Sequence, residues 1–221
     1  MMKNINWDLA HLAHVELLTP KLDESIRFFS EIIGMYITEV QGDSAYLRAY
    51  DDYEHHTLKL TAHKHSGMGH FAWRTRSQEA LEDRVKAIEK TGHGIGWADH
   101  ECGYGKAYEF RYPDGQKCEL YFDTNKYRAE GEMKSALKNT ASKFPGKGMN
   151  VRRIDHLNLL AKDLVGFADF QFDVLGGRNT ERIEFEDGPK GIWVSVNNKS
   201  YDLAITEDHS GLNGRCHHVT Y

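Results

Sequence analysis

The sequence predicts an α+β protein built from tandem βαβββ modules, and three observations predict it. A stretch near the start returns 142 residues later with its pattern intact. A shorter repeat of the same kind lies inside the first half. Throughout, short strand-like runs flank amphipathic stretches of helical period.

The long repeat aligns "AHVELLTPKLDESIRFFSEIIGM" from Ala13 with "DHLNLLAKDLVGFADFQFDVLGG" from Asp155. His14 falls on His156, Leu18 on Leu160, Phe28 on Phe170 and Gly34 on Gly176. Each copy reads as a strand, a turn, a helix and a glycine. Leu22, Ile26, Phe29 and Ile33 recur at helical spacing, and Gly34 is placed to end that helix. "AYLRAY" and "HTLKLT" read as the last strands of the first module. A second module opens with "MGHFAWRT" and continues with a helix from Ser77, with Leu81, Val85 and Ile88 on one face. "TGHGIG" reads as a glycine-rich loop. "KAYEFRY" and "KCELYF", joined by "PDG", are strands around a turn. The third module begins at Val151 and includes "YDLAIT", which matches "HTLKLT". "GRCHHVTY" matches "GHFAW" and opens a fourth module. These signals divide the chain into an N-terminal domain (9–125), a polar Pro/Gly-containing linker (126–150) and a C-terminal domain (151–221). The second domain is expected to be incomplete in this chain.

Composition narrows the function classes. The 221 residues are 40% hydrophobic and 28% charged, an ordinary globular balance, and the net charge of −5 offers no general attraction for nucleic acid or an anionic membrane. No run approaches the ~18 apolar residues of a membrane span, and "MMKNINWDLAHLAH" has no signal-peptide pattern. Cys102, Cys118 and Cys216 are few, odd in number and without zinc-finger spacing, so reduced thiols and a cytoplasmic setting are expected. Thirteen histidines direct attention to metal chemistry.

Strand alternation puts His156 and Asn158 on one face and Leu157 and Leu159 on the other. His218 holds the matching place in the fourth module, because His70 aligns with it. Gly69 aligns with His217, which should face the other way. Two imidazoles on matching strands of adjacent modules can converge on one metal ion. His14 and His70 occupy the same two places in the first domain and, with Glu119, are either a second metal set or a relic held by hydrogen bonds.

"DHLNLL", Trp193, "YDLAIT" and "GRCHHVTY" resemble the type I extradiol ring-cleaving dioxygenases of the vicinal oxygen chelate (glyoxalase-like) superfamily. "AHVELLTPKLDESIRFF", "AYLRAYDDYEHHTLKL" and "GHFAWRT" resemble its catechol 2,3-dioxygenase branch. The resemblance spans the chain from about Leu9. It implies extradiol cleavage of a catechol by dioxygen, in aromatic catabolism, at mononuclear iron(II), with manganese(II) the nearest competitor. His156 and His218 become two metal ligands, with a glutamate roughly 50 residues beyond His218 as the third. Asn158 and Trp193 become substrate-pocket residues. The family's acid–base histidine is replaced by Tyr201, a hydrogen-bond donor but a poor base, or else an aromatic packing residue. His209 is a downstream substitute or a plain surface residue. The implied partners are a catecholic substrate, dioxygen and further copies of the chain in a tetramer. Two other readings stay open on the same fold: a metal-free small-molecule-binding protein, and a metal-dependent isomerase or lyase.

Overall fold

In the computed structural model, which describes residues 5–100 and 102–221, two mixed sheets carry helices on one face. The first module comprises β1 (Leu9–Thr19), α1 (Leu22–Arg27), β2 (Tyr36–Gln41), β3 (Ser44–Arg48) and β4 (Leu58–Ala62). The second comprises β5 (Gly67–Thr75), α2 (Gln78–Thr91), β6 (Gly94–Asp99), β7 (Lys106–Arg111) and β8 (Lys117–Tyr121). The strand order β2-β3-β4-β1-β5-β8-β7-β6 makes one module the image of the other about the β1–β5 pair. Beyond it lie β9 (His156–Ala161), α3 (Leu164–Phe170), β10 (Arg178–Phe185), β11 (Gly188–Ser195), β12 (Leu203–Glu207) and β13 (Cys216–Thr220). Their order, β10-β11-β12-β9-β13, reproduces the first module plus β5.

Local chemistry accounts for the helix ends. Ser77 Oγ accepts from Ala80 N at 3.1 Å and starts α2, and Gly92, left-handed at φ 77°, ends it. Asp163 caps α3 through Gly166 N at 2.9 Å. In both long-repeat copies the helix runs on into one π-helical turn, Phe28–Ile32 and Gln171–Leu175. The glycines that follow, Gly34 and Gly176, have φ of 88° and 90°, and a Cβ on either would strike backbone of another segment. "GHGIG" differs from its reading as a loop, because residues 94–99 form β6. That strand lies at the sheet edge with no buried residue, and its glycines read as a loop in sequence.

One continuous core lies under both sheets. Tyr112 is its junction. Its ring stacks on Phe167 at 4.4 Å, its hydroxyl donates to Gln171 Oε1 at 2.6 Å, and Trp73 Nε1 donates to it at 3.0 Å. Arg84 on α2 reaches Val174 O at 2.6 Å. The segment after β8 is tied down at Asp51, which is wholly buried and pairs with Arg152 and Arg153 at 2.9 Å each.

Glu54 is a second tie. It accepts from His11 Nε2 and Arg74 Nη1 at 2.9 Å and from Tyr121 Oη at 3.2 Å. Burial pushes its carboxyl up, but the bond from His11 and the charges of His11 and Arg74 outweigh burial and hold it down at about 2. A carboxyl depressed in the folded state contributes stability that is full above its ordinary value of 4.5 and is lost as pH falls through about 2. Glu54→Gln is therefore expected to cost about 2 kcal/mol at neutral pH, with the gap from wild type closing below about pH 4. Urea unfolding across that range measures it; a gap independent of pH would contradict the assignment.

Candidate functional site

The first strands of adjacent modules pair antiparallel, β1 with β5 and β9 with β13. In the C-terminal half this register sets His218 opposite Asn158 and Thr220 opposite His156. Leu157 and Leu159 go to the core, and His156 projects from the opposite face. The Nε2 atoms of His156 and His218 lie 3.3 Å apart. Asp155 Oδ2 accepts from His156 Nδ1 at 2.7 Å, which orients the ring and leaves Nε2 facing the gap. Burial, then the neighbouring His156 and His217, lowers the His218 imidazole below its ordinary value, favouring the neutral form that a metal ligand requires. The Tyr201 ring stands 4.7 Å from His156 at 63°, and Trp193 lies 6.5 Å from Tyr201. Asn158 Oδ1 accepts from Thr206 Oγ1 at 3.0 Å. All five residues singled out for this half thus come together on one side of the sheet. No third His, Cys, Asp or Glu completes the pair among the described residues.

His217 does not follow simple alternation. A register irregularity falls between Cys216 and His218, and His217 Nδ1 lies 2.7 Å from His218 Nδ1. It sits beside the pair instead of on the far face, because a bulge re-aims the side chain next to it. His209 is exposed and pairs with Glu207 at 3.2 Å, away from this cluster.

The N-terminal half repeats the arrangement with different side chains. His14 Nε2 and His70 Nε2 are 3.0 Å apart, and Glu119 Oε2 is 3.6 Å from His70 Nε2. The ligand atoms of these three residues lie within 4.8 Å of one another, and all three side chains are buried. Two imidazole nitrogens and a carboxylate fit a mononuclear divalent ion. His56 stands 4.6 Å from His14, as Tyr201 stands by His156. Glu16 takes the place of Asn158: Thr61 Oγ1 donates to it at 2.7 Å as Thr206 does to Asn158. The Glu16 carboxylate also accepts from His70 Nδ1 at 2.9 Å and pairs with Lys59 at 2.8 Å. Burial pushes the Glu16 carboxyl up, but those two partners hold it far below the usual carboxylate range. Tyr104 Oη donates to Glu119 Oε2 at 2.7 Å and lies 3.4 Å from His14 Nε2.

Glu16, His56 and Tyr104 were not singled out from sequence. For Glu16 and His56 the signal was present, since the repeat aligns them with Asn158 and Tyr201. Tyr104 lies in a loop with no repeat partner. In the basic stretch 134–153, Arg152 and Arg153 pair with Asp51.

Residues 11–120 match the Glyoxalase/Bleomycin resistance protein/Dioxygenase superfamily. The chain is 44% identical, over its whole length, to 68% of a metapyrocatechase from Geobacillus stearothermophilus. It is 36% identical, over 97% of its length, to 69% of a manganese-dependent 2,3-dihydroxybiphenyl 1,2-dioxygenase from Geobacillus genomosp. 3. It therefore spans about two thirds of the length of both relatives. Among solved structures, the 2,3-dioxygenase LapB from Pseudomonas sp. KL28 superposes with a TM-score of 0.83 at 20% identity, over 96% of this chain and 74% of that one. Homoprotocatechuate 2,3-dioxygenase from Brevibacterium fuscum, with bound 3,4-dihydroxyphenylacetate, gives 0.80 at 24% identity over 96% and 63%. At such identities the structures speak for the fold alone, while the 44% match over the full chain carries the family. The chain belongs to the type I extradiol dioxygenases of the glyoxalase superfamily.

Proposed function

We propose that this chain carries the extradiol cleavage of a catechol by dioxygen, on the face that holds His156 and His218. The observation that carries the reading is the 3.3 Å approach of their Nε2 atoms beside Tyr201, Trp193 and Asn158, in a chain 44% identical to a metapyrocatechase. His156 and His218 would hold the metal, iron(II) or manganese(II). When bound, that ion would supply Lewis-acid and one-electron chemistry to a catechol and dioxygen. The ring opens beside one hydroxyl and both oxygen atoms enter the product, so no external reductant is consumed.

The chain's own residues perform the remaining tasks. Asp155 fixes the His156 ring so that Nε2 is turned to the metal. Trp193 and Tyr201 form aromatic walls that hold a flat ring in one plane. The carboxamide of Asn158, fixed through Thr206, leaves its amide N–H groups to donate towards the pocket. Tyr201 can donate a hydrogen bond from its hydroxyl but returns a proton poorly at neutral pH. Proton traffic then falls to substrate hydroxyls, water or His217, whose Nδ1 touches His218.

Two measurements test this reading. His218→Ala should abolish catechol-dependent oxygen uptake at saturating iron(II), while Glu119→Gln should leave uptake within about threefold of the parent. The reverse ranking would move the reaction to the N-terminal triad. For Tyr201, the His variant is expected to raise kcat and shift the pH profile towards neutrality, because an imidazole accepts and returns protons there. Tyr201→Phe should lower kcat by about 10- to 100-fold with metal content unchanged. Equal turnover in all three proteins would reduce Tyr201 to pocket wall.

A further inference from the structure

The N-terminal triad lies outside that reading, and its surroundings differ from the C-terminal face in three ways. First, it is shut. His14, His70 and Glu119 are 0, 3 and 1% exposed, whereas His217 and His218 on the other face are exposed. Tyr104 covers Glu119: its hydroxyl bonds that carboxylate, its ring stacks on Tyr121 at 4.5 Å, and with Tyr46, Lys59, His100 and Cys102 it lines a small, partly open cavity of about 150 Å³. Second, the buried Glu119 carboxylate is paired with no Lys or Arg among the described residues; its ion-pair neighbours are His70 and His100 at 3.6 Å. A carboxylate taken out of water without a compensating cation is costly, and a divalent ion at the triad would supply that charge. Third, the polar atoms point inward. His14 Nδ1 has no hydrogen-bond partner, so Nε2, aimed at His70 and Tyr104, is its one polar anchor. His100 Nε2 is likewise buried without a hydrogen bond.

The support behind the triad is built for ligation. Glu16 accepts from His70 Nδ1 and so presents His70 Nε2 to Glu119 and His14, the carboxylate–histidine arrangement found behind metal ligands. Residue 69 makes room for it. A Cβ there would collide with the Glu16 carboxylate, and the residue is glycine where the C-terminal half has His217.

We propose that His14, His70 and Glu119 hold a divalent first-row metal ion as a closed structural centre, separate from the His156–His218 face, with Glu16 orienting His70 and Tyr104 sealing the site. Three protein ligands leave coordination positions open, so what separates this centre from a catalytic one is that burial and Tyr104 shut substrate out of them.

The test uses the full 221-residue chain, stripped with a chelator and titrated with MnCl2 alone, with free Mn2+ read by electron paramagnetic resonance. Wild type and a His156→Ala/His218→Ala double variant should each retain one tight Mn2+ per chain and gain thermal stability on binding it. Glu119→Gln should lose that ion and the gain. Glu16→Gln, folded as judged by circular dichroism, should bind 10- to 100-fold more weakly, the effect of losing an orienting carboxylate rather than a ligand. In the double variant, bound Mn2+ should enhance water-proton relaxation little, and strongly once Tyr104→Ala is added. Loss of Mn2+ from the double variant with retention in Glu119→Gln overturns the proposal, as does an apoprotein that binds no Mn2+, or an unchanged affinity in Glu16→Gln. Strong relaxation enhancement in the double variant overturns the closed character of the site. None of these readings uses ring cleavage, so they fail or succeed independently of the catalytic assignment.

Discussion

Antiparallel pairing between the first strands of neighbouring modules is the constraint from which the rest follows. A first strand that paired with its own module alone would present one histidine to solvent. Paired β1 to β5, and β9 to β13, each brings a second histidine to within hydrogen-bonding distance of the first. The carboxylate comes from β8, which pairs parallel to β5 and so delivers Glu119 beside Ala72, two residues past His70. The ligand geometry is thus a property of backbone register. The remaining side chains decide only what each copy of that geometry can do.

The two copies have diverged in a physically legible way. At the place two residues past the first histidine, one half has a charged Glu16 and the other a neutral Asn158, each held by a threonine from the neighbouring strand. Beside that histidine, one half has His56 and the other Tyr201, at nearly equal ring distances. The charged, histidine-rich copy is sealed under Tyr104, and the copy with Tyr201 and Trp193 faces outward. Enclosure strengthens electrostatic interactions and excludes reactants; openness does the reverse.

Much of this was legible in the sequence because the repeat is long and its markers are chemically demanding. Gly34 and Gly176 align since neither position tolerates a Cβ. His14 and His156 align since both stand on the strand that the next module pairs with, each facing that module's histidine. Exposed edge strand β6 escaped because none of its residues is buried and its glycines read as a loop. The placement of His217 escaped because a bulge shifts the register by one residue without leaving a compositional trace. Tyr104 escaped for a different reason: it acts from a loop, and its link to Glu119 spans a fold in the chain that no local pattern announces.

The junction at Tyr112 bears on how the chain would respond to being cut. Phe167, Gln171 and Trp73 meet around that ring, and Tyr221 reaches back from the last residue to donate to Thr57 O at 2.9 Å. A protease that nicks the irregular segment between about residues 130 and 150 breaks one covalent path and leaves this shared interior intact. The two pieces would then remain a non-covalent complex, since parting them would bare aromatic surface on both. The linker is a tether by sequence, but the halves are joined by their packing.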